Sequence, residues 1–274
     1  MVGFRGSAAT VCRLLVLLSL PTAVLHHAAW AAESPGTMAT GTPPSLELRF
    51  ARSDSPEGEF GVLSNRGSAA VHARVVARNG GVVRRVPGHS SAAARLPAFA
   101  GAKGGSRAVV RVRNAGTTEQ LSPGRQRFEF GVEFALDRRS RGTRFDNGDN
   151  LVQRGRHKDA AQLKLQVERR RPSCVVKGSR ARVAVTSPVR ADPGRWYRVR
   201  CERDAGGVSL SVTRLRPDGS SPTVTTATGQ DPGRLAFSRA TPLSIGGKLS
   251  QSGRIAVSSD QFNGVLDNVY LSIG

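Results

Sequence analysis

The 274-residue sequence predicts an all-β fold, two antiparallel sheets packed face to face, and three observations carry that prediction. Short segments alternate apolar and polar residues with a period of two. Turn signals separate them, among them "NGG" from Asn79, "NGD" from Asn147, "PDGS" from Pro217 and "DPGR" from both Asp192 and Asp231. No stretch sustains a helical repeat. About a dozen strands with one apolar face each need a partner sheet, and long Gly-rich loops favour a sandwich over a barrel.

The chain opens on a leader. "MVGFRGSAATVCR" is a basic n-region (Arg5, Arg13), "LLVLLSLPTAVL" an apolar h-region, and Ala29-Trp30-Ala31 a small-residue cleavage site, so residues 1–31 read as a signal peptide cut before Ala32. The run from Leu14 to Leu25 is shorter than the roughly 20 residues a membrane helix needs. Secretion, to the exterior or the cell envelope, is the expectation, with no transmembrane segment after cleavage. Residues 32–45, "AESPGTMATGTPPS", read as a flexible spacer. One domain is expected over residues 46–274, starting at "LELRFA".

The clearest strand is "RFEFGVEFALD", with Phe128, Phe130, Val132, Phe134 and Leu136 on one face and Glu129, Gly131, Glu133, Ala135 and Asp137 on the other. It reads as half buried. The same arithmetic sets Leu163, Leu165 and Val167 against Gln162, Lys164, Gln166 and Glu168. It sets Tyr197, Val199 and Cys201 against Trp196, Arg198 and Arg200, and Val208, Leu210 and Val212 against Ser209, Ser211 and Thr213. Shorter strands are expected at Val71 to Val76, Val109 to Val112, Val183 to Val185, Thr223 to Thr226 and Leu243 to Ile245. In the closing "FNGVLDNVYLSIG", Asp267 falls on one face with Val269, Leu271 and Ile273, so this acid is either buried with partners or part of a site.

With Cys12 in the leader, Cys174 and Cys201 remain, and an oxidising compartment predicts one disulfide between them. No His or CxxC spacing nearby supports a metal instead.

Forty-one Lys and Arg against 20 Asp and Glu give a formal charge of +21. Such a balance raises nucleic acid, anionic glycans, teichoic-type polymers and lipid head groups as partners. Only five of the basic residues are Lys, which matches a high-GC coding bias and reads most of the excess as solvated surface. The basic clusters are "RRSRGTR" (Arg138, Arg139, Arg141, Arg144), taken as the candidate ligand-binding residues, and "RRR" (Arg169 to Arg171). Without interleaved aromatics, and in an exported protein, nucleic acid is not expected. "FDNGDN" offers the hard oxygens of Asp146, Asn147, Asp149 and Asn150 to calcium, though Asn-Gly favours reading it as an Asx-rich turn.

The order of "NLVQRG", "QLKLQVE", "RWYRVRCERDAGGVSLSV", "PLSIGGK" and "FNGVLDNVYLSI" resembles the laminin G-like branch of the concanavalin A-like lectin/glucanase superfamily. There a W-[HY]-x-V strand, a hairpin, an L-x-I-G-G strand and a closing F-x-G-x-[IL]-D-x-V strand are typical. The chain looks closest to secreted bacterial members with "QRG", "KLQV", "PSC" and "CER" elements. The resemblance covers Phe128 to Ile273 well and Leu46 to Arg127 loosely. It implies a jelly-roll sandwich, supports the Cys174–Cys201 pair, places Trp196 and Tyr197 at framework positions, and makes Asp267 a structural tie. It leaves activity open, because the fold hosts lectins, adhesion modules, glucanases and lyases.

The glucanases of this superfamily carry acids at i, i+2 and i+4 of one strand. Here Glu129, Glu133 and Asp137 are four residues apart, about 13 Å on a strand. Retaining or inverting glycosidases need carboxyl groups within about 5 to 9.5 Å, so no catalytic residues are assigned. His72, His89 and His157 are too scattered for a triad or metal site. The leading reading is a secreted, non-catalytic binding module for carbohydrate or anionic cell-envelope polymers. A glycan-cleaving enzyme and an envelope-associated structural protein are the alternatives.

Overall fold

The computed structural model describes residues 43–50, 58–89, 92–98, 104–138, 149–219, 221–255 and 259–274. They lie in one compact unit, Thr40–Gly274. The expected signal peptide and most of the expected spacer fall outside the described residues, as do Arg139, Arg141, Arg144, Asp146, Asn147 and the side chain of Asp149.

All regular elements among the described residues are strands: β1 Leu46–Leu48, β2 Val62–Leu63, β3 Val71–Arg78, β4 Arg84–Pro87, β5 Ala92–Arg95, β6 Arg107–Asn114, β7 Phe128–Leu136 and β8 Asp149–Arg154. They continue as β9 Gln162–Glu168, β10 Arg171–Lys177, β11 Arg182–Thr186, β12 Trp196–Asp204, β13 Gly207–Arg214, β14 Thr223–Thr228, β15 Leu243–Ile245 and β16 Gly264–Ile273. One sheet, called A, runs β14-β13-β12-β7-β16-β5-β4, with β1 also on β16; sheet B runs β11-β10-β9-β8-β15-β6-β3-β2. Every pairing is antiparallel, as the alternation predicts for a two-sheet sandwich. No helix of the described residues is long and apolar enough to cross a membrane.

The inward faces are those the period-two count selects. Phe128, Phe130, Val132 and Phe134 of β7 are at most 1 % exposed, and the Phe134 ring stacks on Tyr197 while Phe262 meets it edge-on. From the other layer come Leu163, Leu165, Val167, Val110, Val112 and Ile245, all buried. Cys174 on β10 and Cys201 on β12 form the disulfide with Cα atoms 6.1 Å apart, and so join sheet B to sheet A.

Three local readings change. Strand β7 is buried on both faces rather than half buried. Tyr270 lies over Gly131, where a Cβ would fall 2.5 Å from its ring, and Arg198 covers Glu133. The β9–β10 hairpin turns on Arg169 and Arg170, both at positive φ (49° and 68°), so two of the three residues of the expected "RRR" basic cluster form a two-residue turn. That geometry is usually given to Asn-Gly, which is why composition did not announce it. In β16 the register shifts between Asp267 and Tyr270, with Asn268 at φ 47°. Asp267 pairs across from Glu133, on the outer side of sheet A, while Val269 and Leu271 point into the core. The uninterrupted parity expected from Asp267 to Ile273 is therefore broken by a bulge.

Candidate functional site

The two outer faces differ in how their charges are used. On sheet A each acid of β7 has its own Arg, Glu133 with Arg198 at 2.6 Å and Glu129 with Arg200 at 3.6 Å, and Asp137 just past the strand takes Arg95 at 3.0 Å. Glu202 on β12 takes Arg127. Acids on separate strands do meet here, since Glu133 stands across from Asp267 and Glu129 across from Glu202. The first pair is closed to a substrate. Glu133 is 2 % exposed and accepts from Arg198 and from the Asn268 amide at 2.9 Å, and Asp267 is fully buried with Oδ1 accepting the Asn268 N–H at 2.8 Å.

On the outer face of sheet B, no ion pair among the described residues holds Arg74, Arg111 or Lys164. Cross-strand register sets Arg74, Arg111, Ser244, Gln153 and Lys164 in one row across β3, β6, β15, β8 and β9. At about 4.8 Å per strand that row runs roughly 19 Å. Desolvation, then the nearby Arg113 and Arg74, pull the Arg111 guanidinium below its ordinary pKa.

At the Lys164 end of the row the surface dips into a groove of about 460 Å3. Gln153, Gln162 and Lys164 of β8 and β9 line it, with Arg156, His157 and Lys158 from the β8–β9 loop, Lys248 to Ser250 after β15, and Asp260 before β16. The loop leaves β8 through Gly155, whose φ of 72° and whose approach to the Ala161 carbonyl, 2.1 Å from where a Cβ would sit, exclude a side chain. Gln153 Nε2 donates to the Gly155 carbonyl at 2.8 Å. Lys177 Nζ donates to the carbonyls of His157 (3.1 Å) and Asp159 (2.7 Å), and Asp159 accepts from the Arg156 N–H at 2.9 Å, so the loop is braced from both sides.

Four cations and one acid face this groove. Lys248 Nζ lies 2.9 Å from Asp260 Oδ2. Burial, opposed by Asp260 and reinforced by Lys248, holds the Lys164 ammonium below the usual lysine pKa. An anion entering here would offset that burial cost. Three of the protein's five Lys, Lys158, Lys164 and Lys248, meet in this one place and Lys177 ties its rim. In an Arg-dominated sequence, the scarcity of Lys was the signal that could have found it.

Of the residues singled out from sequence as ligand or calcium sites, those whose side chains are described do not line this groove. Arg138 is exposed past the end of β7 and is not among the residues lining the groove. Of the calcium candidates, Asn150 is fully buried, its Nδ2 donating to Gln153 Oε1 at 2.6 Å. Among the described residues no three His, Cys, Asp or Glu group as a metal site would. Trp196, expected in the framework, is half-buried on the outer face of sheet A beside His89, ring centroids 6.5 Å apart, and Tyr197 takes the core place.

The sandwich and its sequence define one class. Residues 139–273 match the family model of the laminin G domain, and the chain carries a laminin G-like domain of the concanavalin A-like kind. Among solved structures it is similar to the binding domain of Paraclostridial Mosquitocidal Protein 1, at 11 % identity and TM-score 0.53, covering 84 % of this chain and 48 % of that one. It therefore spans about half the length of that toxin domain. It is also similar to domain 4 of AbnA, an extracellular arabinanase from Geobacillus stearothermophilus solved with arabinotriose, at 13 % identity and TM-score 0.50, covering 85 % of this chain and 93 % of that one. Domains LG4-5 of the mouse laminin alpha1 chain match at 17 % identity and TM-score 0.38, over 56 % and 37 % of the two chains. At these identities the likeness is one of fold. No curated protein matches the chain.

Proposed function

We propose that the protein is a secreted, non-catalytic binding module for carbohydrate or anionic cell-envelope polymers, and that its site is the groove on the outer face of sheet B. The observation that carries this reading is the groove itself, about 460 Å3 with Lys158, Lys164, Lys248 and Arg156 set around the amides of Gln153 and Gln162. Cations draw an anionic polymer, and side-chain amides hydrogen-bond its polar groups. The proposed site is thus on a sheet face; of the Arg138–Arg144 stretch only Arg138 is among the described residues. The arabinanase domain solved with a trisaccharide supports sugar as the ligand class. The disulfide supports export, since such bonds persist in oxidising compartments.

The test is a titration of the full chain with an anionic and a neutral polysaccharide at low and high salt. The anionic polymer binds and loses affinity steeply as salt screens the contacts. Lys164→Met combined with Lys248→Met lowers affinity at least about tenfold, which is about 1.4 kcal/mol. Equal affinity of the double variant and the native chain would remove the groove as the site.

A further inference from the structure

We infer that Lys164 is an imine-forming lysine, and that the sheet B groove captures small aldehydes or ketones carrying a carboxylate or phosphate group; no polymer need enter for this to happen. Four of the five lysines lie among the described residues, and they are held differently. Lys177 Nζ donates to the carbonyls of His157 and Asp159, Lys248 Nζ is tied to Asp260 Oδ2 at 2.9 Å, and Lys158 stands exposed in the β8–β9 loop. Lys164 is half-buried on β9, and among the described residues no hydrogen bond or ion pair holds its amine. Register places Gln153 of β8 and Val175 of β10 on either side of it, and Gln162 precedes it by two on the same strand face. Val175 is 3 % exposed and Gln162 4 %, so the stem of Lys164 is walled by groups that offer it no counter-charge, while the residue itself lines the groove.

Of these amines Lys164 is the one its surroundings neutralise. Burial lowers its pKa, Asp260 opposes that and Lys248 adds to it, while Glu168 and Arg182 follow in opposite senses. A lysine desolvated beside a second cation is the arrangement that turns an amine into a nucleophile near neutral pH. The neutral Nζ adds its lone pair to the carbonyl carbon and loses a proton to water, while the carbonyl oxygen gains one. The carbinolamine so formed then sheds that oxygen as water and leaves a C=N bond, with nothing oxidised or reduced. Charge selects the carbonyl compound. Lys248, Arg156 and Lys158 face the same groove of about 460 Å3, so an anionic group favours entry and brings the attached carbonyl among cations beside Lys164.

The full chain is incubated at about pH 7 with glyoxylate, or with uncharged propanal, in the presence of cyanoborohydride, which reduces each imine to a stable amine that peptide mass mapping assigns to its lysine. Every rate is taken relative to that of the same reagent with free Nα-acetyl-lysine. Glyoxylate modifies Lys164 at least about fivefold faster than the exposed Lys158, and the relative rate at Lys164 is higher with glyoxylate than with propanal. Lys164→Arg, which keeps the charge, removes the dominant adduct. A smaller ratio, or Lys158 modified ahead of Lys164, overturns the inference, and so does propanal that matches or exceeds glyoxylate at Lys164. These readings need only the native chain, so misfolding of the variant would not mask them. A chain that binds anionic polysaccharide and forms no Lys164 adduct overturns this inference alone. An adduct in a chain that binds no polysaccharide upholds it and overturns the binding reading.

Discussion

Replacing Arg154 by Met removes a buried charge from the inward side of β8 while keeping the volume of its stem. The Arg154 side chain is 1 % exposed; Nη1 and Nη2 donate to the two Glu119 oxygens at 2.8 and 2.7 Å, Nε to the Thr241 carbonyl at 3.2 Å, and the guanidinium carbon lies 4.7 Å from the Phe237 ring centre. Breaking such a pair from one side costs about 3 to 5 kcal/mol, because the remaining charge stays buried. Glu119 keeps the Leu121 N–H at 2.8 Å and the Asn114 amide at 3.1 Å, and its side chain is 20 % exposed, which favours the lower end. We expect Arg154→Met to lose about 3 kcal/mol, a fall in melting temperature of roughly 6 to 12 °C for a domain of this size. The loss depends on pH in a defined sense. Burial alone would raise the Glu119 carboxyl, but Arg154, with Leu121 and Asn114, outweighs it and holds the carboxyl below its ordinary value. The stability from this group is therefore complete above the usual carboxylate range and disappears as pH falls through the lower folded value. Thermal melting at pH 7 and at about pH 2.5 should show the native chain losing more on acidification than the variant. An unchanged melting temperature at pH 7, or a gap between the two proteins that is the same at both pH values, would refute the reasoning.

Reduction of Cys174–Cys201, or both Cys→Ser changes together, should cost about 3 to 4 kcal/mol by the chain-entropy account, given the 27-residue separation; urea midpoints with and without reductant check it, and coincident curves would contradict it. Asp267→Ala strands the Asn268 N–H and should cost about 1 to 3 kcal/mol, so native-like melting would count against a structural role for the acid. Lys164 binds an anion only while charged, and burial lowers its pKa, so affinity for an anionic polymer should fall with rising pH before the ordinary lysine value of about 10.4 is reached. The counter-result is affinity that stays flat from about pH 7 to pH 10.

Local alternation was enough to place β7, β9, β12 and β13 and to choose their inward faces, because a strand half on the core writes its period into its own residues. What escaped depends on partners distant in the chain. Arg154 occupies a core-facing place beside Val152 and reads as a misplaced charge until Glu119, 35 residues away, closes on it. The bulge at Asn268 has no signal of its own, since the residue at positive φ is an ordinary Asn between two acceptable strand halves. The groove is the extreme case. Gln153 and Lys164 meet Lys248 and Asp260 only because β15 inserts between β6 and β8, a pairing that no local pattern encodes.

The Cys174–Cys201 bond has a mechanical side as well. Cys174 sits on β10, the strand next to β9, which carries Lys164 into the groove, and Cys201 sits on β12, next to the central β7 of the opposite layer. A polymer pulling on the groove loads β9 first, then β10 through their shared ladder, and the covalent link passes that load straight to sheet A. Oxidised, the sandwich would resist being peeled apart at the layer proposed to bind; reduced, that tension would fall on side-chain packing and the backbone connections between the sheets.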